Sequence, residues 1–244
     1  MNKTAFVTGA SSGIGAAYAE RLAAEGWDLV VVARRGDRLE ELCRRLTTAH
    51  GVDARPLVAD LGQTDDIERV GHDVEQTGPD LLVNNAGLAH YGAFAEVGSS
   101  RARELVDVNV LAPVLLAKAA VGGMVERGRG SIVNVASLLA FSGAADAAFL
   151  PERAVYAATK SFLVTFSQVL AAEVAASGVR VQVVCPGVVR SEFHSRQGID
   201  MTDVPRMEPE LVVEASLADL AAGVVVSVPG LQDLDALNRL WGAH

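Results

Sequence analysis

Tyr156 and Lys160 stand four positions apart in the segment Tyr156–Ala176, whose apolar residues recur with helical period, so both side chains project from one face. A free phenol, with a pKa of about 10, is a poor base at neutral pH, and a neighbouring ammonium favours its ionised form. Such a pair can move a proton to or from a substrate oxygen. By itself the spacing is common on solvated helix surfaces, so its meaning depends on the residues that accompany it. Ser137 closes the run Gly130-Ser-Ile-Val-Asn-Val-Ala-Ser137, which reads as a complete strand, and its hydroxyl can bond the same oxygen. A serine at a strand end is otherwise a turn residue. Asn109 interrupts the helical run Leu105–Ala120, where Asn has poor propensity.

Other chemistries lack their residues. His50, His72, His90, His194 and His244 show no metal-ligand spacing, so no metal is expected. Cys43 and Cys185 lie far apart without CxxC spacing and read as small buried side chains. There is no GxSxG turn to carry a hydrolase nucleophile.

A second constellation is built for anions. Val7-Thr-Gly-Ala-Ser-Ser-Gly-Ile-Gly15 joins a strand to a helix. Glycines there let the backbone turn tightly and approach a ligand, and the helix N-terminus offers free N–H groups to a pyrophosphate. Arg34 and Arg35 end the second strand-like run. An acidic residue at that place would bond ribose hydroxyls, whereas a guanidinium fork matches phosphate oxygens.

These residues must be positioned by an alternating framework. Strand-like runs fall at Thr4–Thr8, Leu29–Ala33, Arg55–Ala59, Leu81–Asn84, Ser131–Ala136, Arg180–Cys185 and Val224–Val228. Helical patterns lie between them at Ile14–Glu25, Leu39–Ala49, Ile67–Gln76, Arg101–Val125 and Tyr156–Ala176. Gly26, Gly51, Gly78, Gly128, Gly130 and Gly178 sit where helices should stop. Strand, helix, strand at this spacing implies right-handed crossovers and a doubly wound parallel α/β sheet of about seven strands with helices on both faces. The expectation is one Rossmann-like domain over residues 1–244, since no linker, repeat or low-complexity tract divides it. Leu138–Arg153 and Val188–Glu208 follow strands and are the expected substrate loops.

Composition agrees. Half of the 244 residues are hydrophobic, with few aromatics, which suits strands buried on both faces. A net charge of -9 argues against binding nucleic acid or an anionic membrane. The chain enters a strand at Lys3, so no cleavable leader is expected, and no uninterrupted apolar run reaches the roughly 18 residues of a membrane span. A reducing cytoplasm fits the cysteine usage.

The turn Thr8-Gly-Ala-Ser-Ser-Gly-Ile-Gly15 differs from the GxGxxG of the long dinucleotide folds and resembles the fingerprint of the short-chain dehydrogenase/reductase family. The resemblance continues in the family's order through Asp60-Leu61, Asn84-Asn85-Ala86-Gly87, Asn109, Ser137, Tyr156-x-x-x-Lys160 and Pro186-Gly187. It implies an oxidoreductase that interconverts a ketone or aldehyde and its alcohol by hydride transfer, with Ser137, Tyr156, Lys160 and Asn109 as a catalytic tetrad. Gly9, Ser11, Ser12, Gly13 and Ile14 would hold the phosphates, and Asp60 and Leu61 would flank the adenine. Asn85, Ala86 and Gly87 would line the path to the nicotinamide, beside Tyr156 and Lys160, and Pro186, Gly187 and Val189 would meet its carboxamide. Ser191 stands where the family often has Thr and keeps the hydroxyl. With Arg34 and Arg35 in place of an acidic residue, the implied cofactor is NADP(H).

Ser137 departs from the family pattern, preceding Tyr156 by 19 positions, a longer interval than usual. Ser142, at 14, is a rival that would lie within the following loop. The loops carry Leu88, Leu138, Leu139, Phe141, Phe149, Leu150, Val188 and Phe193, so a bulky apolar substrate is expected. Arg153, Arg190 and Arg196 are the cations available if the substrate bears a carboxylate. Family members are commonly dimers or tetramers, packed through helices corresponding to Arg101–Val125 and Tyr156–Ala176. Two rivals carry less: a cofactor-binding protein without catalysis need not keep Ser, Tyr and Lys, and an extended epimerase would need a larger substrate domain.

Overall fold

The computed structural model describes residues 2–143, 150–195 and 204–231, without the side chains of 194 and 195. Phe149, Arg196 and His244 lie outside the described residues. The strands are β1 (Thr4–Thr8), β2 (Asp28–Ala33), β3 (Ala54–Val58), β4 (Leu81–Asn84), β5 (Gly130–Val135), β6 (Val179–Val184) and β7 (Val226–Ser227). They pair in parallel in the order β3-β2-β1-β4-β5-β6-β7. The chain winds one way from β1 to β3, then returns to place β4 on the other side of β1. That reversal opens a crevice above the C-terminal ends of β1 and β4.

Helices α1 (Gly13–Ala24), α2 (Gly36–His50), α3 (Thr64–Thr77), α4 (Ser99–Val106), α5 (Ala112–Glu126), α6 (Ala154–Val174), α7 (Glu192–Ser195) and α8 (Pro209–Ala221) connect them. Alternate strand residues feed two cores. Val7, Val31, Val83 and Val184 pack with Leu22 of α1, Leu39 and Leu46 of α2, and Val212 of α8. Phe6, Val30, Leu82 and Ile132 face the opposite way, onto Ile67 and Val74 of α3 and Leu116 and Met124 of α5. Each such side chain contributes about 1.5–3 kcal/mol by leaving water, which is why near-continuous Val and Leu runs become central strands.

The expected strands recur, Thr4–Thr8 and Leu81–Asn84 unchanged and the others with boundaries shifted by a residue, except that only Val226 and Ser227 pair with β6, against the expected Val224–Val228. Gly26, Gly51, Gly78, Gly128 and Gly178 take left-handed φ at helix ends, and Gly130 opens β5. Helix α8 follows the second substrate loop and was not among the helical segments read from the pattern; Pro209 starts it, and Val212, Val213 and Leu220 bury its inner face. The expected helix Arg101–Val125 is broken into α4, a π-helical turn at Asp107–Leu111, and α5. The helical rod Ser99–Arg127 is long and apolar enough to cross a membrane by length and composition, but 44% of its most apolar stretch is buried inside this fold.

Candidate active site

A cleft of about 1270 Å³ opens at the C-terminal ends of the central strands. Its floor is the turn between β1 and α1. Gly9 has φ of +68°, and a Cβ there would lie 2.7 Å from Asn85 Nδ2 and 2.9 Å from Ala86 Cα, so only glycine lets the two strand-end loops meet. Thr8 fastens them: its hydroxyl donates to the Val83 carbonyl (3.3 Å) and accepts from the N–H groups of Asn85 and Ala86 (both 3.0 Å). Asn85 Nδ2 returns a bond to the Thr8 carbonyl at 2.9 Å. Sequence reasoning gave Thr8 no role; its position at the end of β1, one residue before Gly9, was the available signal.

The first turn of α1 carries no acidic side chain, and its N-cap residue Ser12 does not cap it through the hydroxyl. Arg35 instead reaches this turn, donating from Nη2 to Ser11 Oγ (2.8 Å) and Ser12 Oγ (3.0 Å). Arg34 lines the same rim in an exposed position. Amide donors, hydroxyls and two guanidiniums around a glycine cradle form a donor set suited to the phosphates of a dinucleotide, the 2′-phosphate included. Ile14, Gly13, Asp60, Leu61, Ala86, Gly87, Pro186, Gly187, Val189 and Ser191 complete the wall, so every residue expected at the cofactor lines this one cleft.

Tyr156 and Lys160 enter from the first turns of α6, both almost fully buried. Lys160 Nζ lies 5.8 Å from the centre of the Tyr156 ring and donates to the Val135 carbonyl at 2.9 Å. Burial pushes the Tyr156 phenol well above its ordinary value; the Tyr91 hydroxyl adds to this, and a hydrogen bond with Ser137 offsets part of it. Burial pushes Lys160 down to about 8, against the opposing pull of the Cys185 thiol. The expectation that Lys160 would favour phenolate is therefore not met by these groups alone. The ammonium is spent on the Val135 carbonyl, and burial keeps the phenol protonated.

Ser137 lines the cleft at the end of β5 and starts a short 3-10 turn, Leu138–Phe141, accepting from the Leu139 N–H at 3.2 Å. Ser142 is absent from the cleft lining. Its hydroxyl donates to the Leu139 carbonyl (2.7 Å) and accepts from Arg153 Nε (2.9 Å). Asn109 sits fully buried in the π-turn, behind the wall of the cleft. Both ends of its amide clamp Leu88, accepting from its N–H and donating to its carbonyl at 2.8 Å each, and Nδ2 also donates to Thr159 Oγ1 at 3.0 Å.

The outer end of the cleft is apolar. Leu88, Leu138, Leu139, Leu150, Val188 and Phe193 line it as expected, joined by Pro151 and Val204 of the two expected substrate loops and by Tyr91, which sequence reasoning passed over. The Tyr91 ring meets Tyr156 edge-on at 5.8 Å, and Phe193 lies 6.2 Å from the same ring. Phe141 is a correction: it turns into a core with Leu163 and Val183 and leaves the cleft to its neighbours. Arg153 is tied to Ser142 and the Pro151 carbonyl, and Arg190 to Glu208, so neither faces the cleft.

A family model for short chain dehydrogenases matches residues 3–201, and the chain belongs to that family of oxidoreductases. A short-chain dehydrogenase from Sphingobium yanoikuyae, solved in complex with NADPH, is 37% identical, with a TM-score of 0.91 over 99% of this chain and 93% of its own. The bulky-bulky ketone specific alcohol dehydrogenase from Comamonas testosteroni is 34% identical, with a TM-score of 0.87 over 99% of this chain and 91% of its own. Dehydrogenase/reductase SDR family member 4 from Bos taurus is 35% identical over 195 residues, covering 79% of this chain and 67% of its own.

Proposed function

We propose that this chain is an NADP(H)-dependent carbonyl reductase, reversible as an alcohol dehydrogenase, that acts on bulky apolar ketones within one domain. The observation that carries the reading is a buried Tyr156 that lines, with Ser137 and Lys160, the same cleft as the glycine turn and Arg34 and Arg35. Bound NADPH supplies the hydride. Ser137 bonds the carbonyl oxygen and holds it against Tyr156, which donates its proton as negative charge grows on that oxygen. A phenol kept protonated by burial is loaded for this step. Lys160, with a pKa of about 8, is poised to return a proton to Tyr156 at neutral pH. Asn109 acts as a positioning residue: it fixes Leu88 beside Gly87 and ties the π-turn to α6 through Thr159.

The apolar end supports the substrate class. A ketone filling it loses apolar surface to water-free contact at about 25 cal/mol per Å², while a carboxylate there would find no cation among the described residues that line this outer end, Arg34, Arg35 and Lys160 lying elsewhere along the cleft. The relative from Comamonas testosteroni, with its bulky-bulky ketone specificity, agrees with this reading, and the NADPH-bound relative agrees with the cofactor. The test is NADPH consumption over a panel of ketones, with NADH in parallel. Bulky aryl or alicyclic ketones should show the higher kcat/KM, and NADPH should exceed NADH by at least about 100-fold. Turnover of small keto acids alone, or equal use of the two cofactors, would overturn the respective half of the reading.

We also assign the chain to a cytoplasmic homo-oligomer built on helix faces. Val106 and Leu115 of the α4–α5 rod and Phe162 and Val169 of α6 are large apolar side chains left exposed, and Phe162 stacks on Phe166 at 6.0 Å.

A further inference from the structure

Arg35 does more than face the phosphate end of the cleft. Its Nη1 donates to Glu192 Oε2 at 2.8 Å, and the other carboxylate oxygen of Glu192 accepts from Arg38 Nη1 at 2.7 Å. Glu192 opens α7, in the loop that follows β6, so a residue far along the chain is clasped onto the end of β2 and the start of α2. Its neighbours are fixed as well: a Cβ on Gly13 would come 3.0 Å from Ser191 Cβ, and the Phe193 ring lies 6.2 Å from Tyr156.

Arg35 has three kinds of partner, the hydroxyls of Ser11 and Ser12, the Ser11 carbonyl oxygen at 3.2 Å from Nη2, and the Glu192 carboxylate, and of these Glu192 alone carries a charge. Ser11 and Ser12 accept from its Nη2, but a hydroxyl can rotate and donate to an incoming phosphate, so these contacts can be exchanged for a shared network. A carboxylate only accepts. Glu192 cannot join a phosphate on Arg35; it must release Nη1 or sit beside a second anion at repulsive range. Arg34 has no hydrogen bond or ion pair among the described residues, so it can receive the phosphate without displacing anything.

We propose that Glu192 is a specificity-determining residue that competes with the cofactor's 2′-phosphate for Arg35 and so weakens NADP(H) binding below what the arginines alone would give. The inference rests on the NADP(H) reading above. The ion pairs are partly exposed, with side-chain exposures of 29% for Arg35, 43% for Glu192 and 46% for Arg38. Pairs of that exposure are weak, so removing the competitor should tighten binding by about threefold to tenfold.

The test uses the full chain without dinucleotide and titrates 2′,5′-ADP and 5′-AMP by calorimetry. Glu192→Gln, close in shape and without the charge, should bind 2′,5′-ADP about fivefold tighter than the unmodified protein, with 5′-AMP unchanged. Glu192→Ala should move the same way, which separates loss of charge from any effect of the amide. Equal or weaker 2′,5′-ADP binding in both variants would overturn the proposal and make Glu192 a support that orients Arg35. A protein that prefers 5′-AMP before and after the substitution would overturn the NADP(H) reading together with it. A 2′-phosphate preference that appears only in the variants would overturn that reading for the unmodified protein and support the competition.

Discussion

Tyr156→Phe keeps the ring against Tyr91 and Phe193 and removes only the hydroxyl, the proposed proton donor. General acid catalysis contributes about 10²–10⁴-fold, and turnover should fall by that order while NADPH binding, followed by nicotinamide fluorescence, stays as it was. The two serines should part in character. Ser137→Ala should lower kcat strongly with little change in melting temperature. Ser142→Ala should leave kcat near its original value and cost about 1 kcal/mol of stability, because it loosens Arg153. A reversed ranking would move the substrate contact to Ser142. Lys160 gives a pH signature: below its pKa of about 8 it is an ammonium that can reload Tyr156, and above it a neutral amine. Reductive kcat/KM should therefore fall on the alkaline side of about pH 8, and Lys160→Met should lower the rate and abolish that limb. At this scale the sequence was readable for position where a motif names a residue: Tyr156, Lys160 and the glycine turn line one cleft. It was not readable where a role depends on a fold contact: the Thr8 hydroxyl matters because β4 ends beside it, and Phe141 turns inward because the 3-10 turn after Ser137 rotates it away.

Periodicity revealed the elements that lie flat on the sheet, since their apolar stripe is continuous. It gave no warning of the π-turn at Asp107–Leu111, because an added residue within a helix leaves apolar positions on both sides of the break. Asn109 was the trace of it, a poor helix former where the helix changes pitch. Helix α8 escaped because it is apolar on most sides and carries little contrast between faces. Elements also meet far from the chemistry, and Gly178 offers a control there. It ends the turn after α6 with φ of +78°, and a Cβ would come 2.4 Å from the Gly128 carbonyl oxygen. Gly178→Ala should lower stability by about 2–4 kcal/mol in chemical denaturation, while the folded fraction keeps its kcat. A variant as stable as the original would mean that the two helix ends can separate freely.

The whole molecule was the most legible level in architecture and the least in assembly. Seven alternating units dictate a parallel sheet and its crevice, but no residue motif states how many copies associate. The exposed apolar positions on the α4–α5 rod and α6 give a testable answer: light scattering after size exclusion should report a dimer or tetramer. Phe162→Glu combined with Val169→Glu should yield monomers, and a monomeric unmodified protein would remove the assignment.

The two borders of the sheet bear on the same question. On one side β3 carries Pro56, which has no N–H to offer an incoming strand, beside the charged Arg55. On the other, among the described residues, β7 offers only Val226 and Ser227. A border without a run of free donors and acceptors is a poor template for cross-chain strand addition, the common route by which sheet proteins gel or form fibres. Among the described residues the sheet thus carries its own protection against edge-to-edge growth, and most of the large exposed apolar side chains lie on helices instead.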